Sequence, residues 1–281
     1  MNVLPLRPEA GVVPETATAM IEIDHVSQTF QTSGRQSHLA ISDISLRIED
    51  GAFVSILGPS GCGKSTVLRL LSGLMPPTRG VIEWRDERRP ALGFVFQEPT
   101  LMPWASVFSN VWLPLRLKGV SKDKARSRIE EVLEMVGLSG FANAYPRELS
   151  GGMKMRASIA RALVTRPAML LMDEPFAALD EITRTKLNDE LVSLKCALSA
   201  TVIFVTHSVI ESVYLSNRIV VFAPRPGRAV AEISVDAPLP RDAEFRLSGA
   251  YAQKCRETSL ALHQAMAMKP ESPLGVKGPC A

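Results

Sequence analysis

Nine consecutive residues, Gly58-Pro59-Ser60-Gly61-Cys62-Gly63-Lys64-Ser65-Thr66, constrain this chain more than any other stretch. Their three glycines let the backbone curl until its N–H groups face inward, a geometry that suits a phosphate. The run before them, Phe53 to Leu57, is short and nearly all apolar, as a strand buried on both faces must be. After them, Val67, Leu68, Leu71 and Leu74 recur at helical spacing. The piece therefore reads strand, glycine loop, helix, and the helix N-terminus adds positive potential at the loop. Lys64 then reaches the outer phosphates of a nucleotide, and the Ser65 hydroxyl is placed to ligate Mg²⁺. A glycine turn that merely ended a strand would need neither side chain. Cys62 reads as a small filler inside the loop and not as a redox group.

Such a loop belongs at the edge of a parallel α/β sheet, and a second unit supplies more of one. Met169 to Met172 is another short apolar run, Leu187, Leu191, Leu194 and Leu198 follow with helical period, and Thr201 to Thr206 is a further β-branched run. Ahead of the loop, Ile21 and Ile23, then Ile44, Leu46 and Ile48, alternate with polar residues on either side of a turn at Thr32 to Ser37, predicting half-buried strands. From Leu101 to Leu163 no strong strand occurs. Val111 and Leu115, then Ile129, Val132, Leu133 and Val136 behind an N-cap at Ser121, predict helices. Residues 101–163 thus read as a helical subdomain inserted into an α/β core spanning 19–240. One further helix, about Ala243 to Met266, is expected before a tail, and residues 241–281 read as a packing appendage. Residues 1–18, with Pro5, Pro8 and Pro14 and no periodicity, read as a flexible arm.

Composition sets the outer limits. The chain has 281 residues, which at roughly 150 per domain is one large domain or two small ones. With 46% hydrophobic and 22% charged residues it is neither fibrous nor wholly disordered. A net charge of +3 does not call for nucleic acid, and none is expected as a partner. Cys62, Cys196, Cys255 and Cys280 stand alone, without metal-ligand spacing or a disulfide framework, which favours a reducing compartment. The longest apolar runs fall far short of the roughly 18–20 residues that span a bilayer. The first twenty residues, broken by three prolines and carrying Glu9 and Glu15, do not read as a signal peptide.

Hydrolysis needs an acidic site opposite the phosphates, and Met169-Leu-Leu-Met-Asp173-Glu174 supplies it. Asp173 ends an apolar strand at the carboxyl edge of the sheet, where open parallel sheets bind ligands and a metal ion would sit. Glu174 is then placed to hold or deprotonate an attacking water. A solvated acidic turn is the ordinary reading of a lone Asp-Glu pair, and the loop at Gly58 displaces it.

A third element names a family. Leu149-Ser150-Gly151-Gly152-Met153, ahead of an apolar-periodic segment through Ile159 and Leu163, resembles the signature motif of ABC-type ATPases. The resemblance implies a P-loop NTPase fold: a parallel, RecA-like sheet with an antiparallel β subdomain and an inserted helical subdomain. It also implies a head-to-tail dimer in which Ser150, Gly151 and Gly152 close on the γ-phosphate of ATP held by the partner's phosphate loop. Further positions match one by one. Gln97 matches the Q-loop glutamine that contacts Mg²⁺ and water and senses a membrane partner. His207 matches the switch histidine, Asp180 in Ala178-Leu179-Asp180 matches the D-loop at the dimer seam, and Phe30 stands where an aromatic, more often tyrosine, stacks on adenine.

Within the family, Phe96 to Trp104, Asp173 to Asp180 and Val221 to Arg228 resemble the nitrate, sulfonate and taurine importer branch. Met153, Met155 with Arg156, and Ala178 depart from its usual pattern. The expected protein is an ATP- and Mg²⁺-using ATPase subunit of an importer, paired with a second ATPase subunit and held peripherally on the cytoplasmic side of the inner membrane. An integral permease is its direct partner and a solute-binding protein an indirect one. A soluble ABC-type ATPase or a non-catalytic nucleotide-binding regulator fits less well, because the chain carries no long insertion and retains Glu174, Gln97 and His207 together. Pro99 to Trp104 reads either as the surface that receives the permease's coupling helix or as local packing of the helical subdomain.

Overall fold

The computed structural model describes residues 19–31, 37–85 and 90–268. The arm at 1–18, most of the turn expected at Thr32 to Ser37, and the tail beyond Met268 lie outside the described residues.

The first two strands, β1 (Ala19–Gln31) and β2 (Ser37–Glu49), pair antiparallel with Ile21 opposite Ile48 and Ile23 opposite Leu46. Next come β3 (Phe53–Leu57), α1 (Lys64–Ser72), β4 (Arg79–Trp84) and β5 (Leu92–Val95). The helical subdomain holds α2 (Val107–Leu117), α3 (Lys122–Met135), two 3-10 turns, and α4 (Gly151–Leu163). The chain then returns to the core through β6 (Met169–Asp173), α5 (Glu181–Leu198), β7 (Thr201–Thr206), α6 (Val209–Leu215), β8 (Arg218–Ala223) and β9 (Arg228–Ser234). Two helices follow, α7 (Ala243–Leu247) and α8 (Gly249–Ala267).

Six strands form one sheet in the order β5-β6-β7-β3-β8-β9, parallel except for β9, and β2-β1-β4 form a separate antiparallel sheet. The continuous apolar runs follow from coverage on both faces. Alternate residues of a strand point to opposite sides. Phe53 and Leu57 of β3, with Leu170, Met172, Val202 and Phe204, join the core shared with α2 to α6. Val54 and Ile56, with Met169, Leu171, Ile203 and Val205, join a second core under α1, β1 and β2. Burying each such side chain contributes about 1.5–3 kcal/mol, so neither face tolerates a polar substitution cheaply. This places β3 centrally, and the loop leaving it emerges in mid-sheet.

Ser121 stands at the N-cap of α3, as expected, although its side chain makes no capping hydrogen bond. One expectation needs correction. The single helix expected from Ala243 to Met266 is two, because Ser248 leaves helical conformation (φ −76°, ψ 149°) and its hydroxyl accepts the Tyr251 N–H at 3.1 Å to start α8. Arg241 anchors this C-terminal unit. Its buried guanidinium donates to the carbonyls of Val213, Tyr214, Ser216, Val235 and Ala237, at 2.6–3.1 Å. Burial lowers its pKa to about 10, which leaves it charged at neutral pH.

Candidate active site

The phosphate loop joins β3 to α1, and its backbone explains its glycines. Gly61 and Gly63 have φ of +76° and +91°, conformations that a side chain resists. At Gly58 the limit is space, since an added Cβ would lie 2.8 Å from Cys62 Sγ and 3.0 Å from the Phe222 carbonyl. The Cys62 thiol is fully buried in the core, and burial pushes its pKa up, so this residue offers the loop only its backbone. Gly63 is the N-cap of α1 and has no side chain, so the first amides of the helix carry no side-chain cap. Other helices bearing site residues differ: Ser150 accepts the Met153 N–H, Asp180 the Thr183 N–H and Ser208 the Glu211 N–H. An uncapped N-terminus beside curled glycines is an anion site.

Opposite the loop stands a chain of charge. The Lys64 ammonium, 4% exposed, donates to the carbonyls of Gly58 at 2.8 Å and Pro59 at 3.0 Å and lies 3.1 Å from Glu174 Oε1. The other Glu174 oxygen is 3.0 Å from His207 Nδ1. Glu174 reaches both by turning sharply after β6. Its φ is +42° and its N–H donates to the Val205 carbonyl at 3.0 Å, a strained conformation of a kind that collects at functional sites. One residue earlier, Asp173 Oδ1 accepts the Ser65 hydroxyl at 2.9 Å. Burial holds the Asp173 carboxyl above its ordinary pKa, opposed by the Ser65 hydrogen bond and the Lys64 charge.

A cleft of about 410 Å³ runs over Lys64, Ser65 and Glu174, with Asp173 and His207 outside its lining. Ser60, Gly61 and Gly63 to Thr66 line it along the loop, Gln97 and Glu174 join them, and Phe30, His38 and Ala40 come from β1 and β2. His38 and Ala40 escaped the reading of the sequence; the signal for them is the pairing of Phe30 with His38 across the two strands. A larger hollow of about 630 Å³, against Glu22, Arg47 and Trp84 of the antiparallel sheet, contains none of these groups.

Ser150, Gly151, Gly152 and Asp180 do not line the cleft. Instead the signature loop packs on the D-loop of the same chain. A Cβ on Gly152 would lie 2.7 Å from Thr183 Cγ2, and one on Gly151 3.5 Å from Leu179 Cδ2. Ser150, Gly151 and Asp180 are exposed. Among the described residues no cluster of three or more His, Cys, Asp or Glu side chains forms a ready metal cage.

Comparison with known proteins agrees with this geometry. The ABC transporter family profile matches residues 41–177. An aliphatic sulfonates import ATP-binding protein of Pseudomonas syringae pv. tomato is 45% identical over 230 residues, 81% of this chain and 94% of the relative. A taurine import ATP-binding protein of Rhizobium johnstonii is 44% identical over 222 residues, 77% of this chain and 84% of the relative. A solved ATP-binding cassette, a dimer in a post-hydrolysis state bound to ADP and Pi, superposes with a TM-score of 0.68 at 35% identity, over 78% of this chain and all of that one. With a phosphate loop in mid-sheet, an acidic strand end opposite it and relatives of this closeness, the chain belongs to the ABC transporter family as an ATP-binding subunit with ATPase activity.

Proposed function

We propose that this subunit drives an importer for a small solute such as nitrate, a sulfonate or taurine, working as a dimer beneath an integral permease. The observation that carries the importer reading is the 44–45% identity to relatives named for taurine and aliphatic sulfonate import. No helix among the described residues is long and apolar enough to cross a membrane, so the translocation path is assigned to a partner. The subunit then sits peripherally on the cytoplasmic face, and a solute-binding protein delivers the substrate to the permease.

The proposed roles follow from the geometry. Phe30 stacks on the adenine, while loop amides and Lys64 hold the phosphates. Lys64 leaves Glu174 for the nucleotide, since a γ-phosphate is the stronger partner for a buried ammonium. Glu174, freed on one side and held by His207 on the other, orients and deprotonates the attacking water. Mg²⁺ fits the donor set: the Ser65 hydroxyl and the Asp173 carboxylate are hard oxygens already 2.9 Å apart, and the Gln97 side chain borders the same cleft. Held by Ser65 and Asp173, such an ion would supply charge neutralisation to the phosphate oxygens. Ser150, Gly151 and Asp180 face outward, with Gly152 buried behind them, because this loop serves the partner's nucleotide. Trp104, 77% exposed, borders a groove of about 520 Å³ with Met102, Trp112 and Tyr145, the surface proposed for the permease's coupling helix.

Deleting the gene tests the substrate class. Growth on nitrate, taurine or an alkanesulfonate as sole nitrogen or sulfur source is expected to fail for one of them. Undiminished growth on all three would contradict this branch assignment. Co-purification with an integral membrane protein is expected, and its absence from mild detergent extracts would favour a soluble ATPase.

A further inference from the structure

We infer that the turn Pro224 to Gly227 between β8 and β9 positions the phosphate loop, with Gly227 as the residue on which the loop rests. The inference rests on Gly58 to Thr66 being the nucleotide's phosphate loop. Gly227 is buried, and its φ lies outside the left-handed region, so backbone conformation does not demand glycine there. Space does. An added Cβ would lie 2.0 Å from the Cys62 carbonyl oxygen, 3.1 Å from its carbon and 3.0 Å from the Ala40 oxygen. All three are backbone atoms, which cannot swing aside as a side chain does.

Hydrogen bonds fix the same junction. The Gly227 N–H donates to the Ala40 carbonyl at 2.9 Å, and the Ser42 N–H donates to the Gly227 carbonyl at 2.9 Å. On the other side, a Cβ on Gly63 would lie 2.8 Å from Ile41 Cδ1 and 3.0 Å from the Ala40 oxygen. Three segments far apart in sequence thus interlock with no room for a methyl group. The functional consequence comes from peptide planarity: the Cys62 carbonyl and the Gly63 N–H belong to one rigid unit, so displacing the oxygen tilts the amide. Gly63 and Ala40 both border the cleft, so the turn sets the aim of a loop amide and the seat of the β2 wall together.

Gly227→Ala is expected to weaken ADP binding by at least about tenfold, the effect of one mis-aimed hydrogen bond to a charged group, and to raise KM for ATP more than it lowers kcat. The melting temperature of the nucleotide-free protein is expected to fall as well, because backbone must shift to admit the methyl group, so the loss of ADP affinity is the readout that marks a positioning role. Gly140→Ala, where a Cβ meets nothing within 4 Å, is expected to bind like the wild type. Lys64→Ala separates the two claims. Normal ADP binding by Lys64→Ala overturns the phosphate-loop reading itself. Lost binding by Lys64→Ala beside wild-type affinity in Gly227→Ala overturns the turn's role alone, as does a lowered melting temperature with unchanged affinity. If Gly227→Ala does not fold, amide exchange in the wild type decides. ADP is expected to slow exchange at Gly227 and Ser42, and unchanged exchange at both overturns the inference.

Discussion

Lys64 is the residue proposed to serve two states. Its ammonium is buried among two loop carbonyls and Glu174, an arrangement that costs desolvation and is tolerable only because every partner is close. In the proposed mechanism a nucleotide phosphate replaces the Glu174 contact with a stronger one, which makes binding and release of Glu174 one event. Lys64→Ala is therefore expected to weaken ATP binding by about 100-fold, the scale of two charge-assisted hydrogen bonds, measured as an equilibrium isotherm with Mg²⁺ present. An isotherm matching the wild type would remove Lys64 from the phosphate site. Residue types and spacing singled out Lys64, Ser65, Asp173 and Glu174, and the structure brings them together, Ser65 on Asp173 and Lys64 beside Glu174. The Lys64–Glu174–His207 chain was not readable. It depends on the left-handed turn at Glu174, which no pattern of residue types announces.

Among elements, those with a clean physical cause were the legible ones. Strands β3, β6 and β7 are apolar on both faces because two cores sandwich them, and α5 shows its buried stripe of Leu187, Leu191 and Leu194. Strand β4 escaped because it is largely exposed, and β8 because a short apolar run suits a strand or a helix equally. The break at Ser248 escaped because a capping hydroxyl interrupted an otherwise helical period. The helical subdomain hides a further device. Asn110, fully buried, accepts the Met102 N–H at 2.7 Å and donates to the carbonyls of Met102, Ala105 and Ser106 at 3.0–3.2 Å. It thereby clamps the segment that presents Trp104. Asn110→Ala is expected to destabilise by about 2–4 kcal/mol, because several buried backbone groups lose their partner, and a urea unfolding midpoint checks this. A midpoint equal to the wild type's would show that the segment is held by other means.

At the scale of the whole molecule, the sites lie on different surfaces of one framework. The cleft sits at the carboxyl edge of the parallel sheet, while the signature loop packs against Leu179 and Thr183. Trp104 projects from the helical subdomain into solvent. Trp104→Ala is expected to leave the ATPase rate of the isolated subunit unchanged and to abolish its stimulation by the reconstituted permease. Retained stimulation would place the coupling surface elsewhere. Glu174 is proposed to activate water within a site that two subunits complete. Phosphate release and sedimentation of Glu174→Gln, measured on one sample with Mg²⁺ and ATP, test it most directly. An ATP-dependent dimer is expected, with turnover reduced by about 100-fold or more, the usual scale for losing a general base. Hydrolysis at the wild-type rate would contradict it.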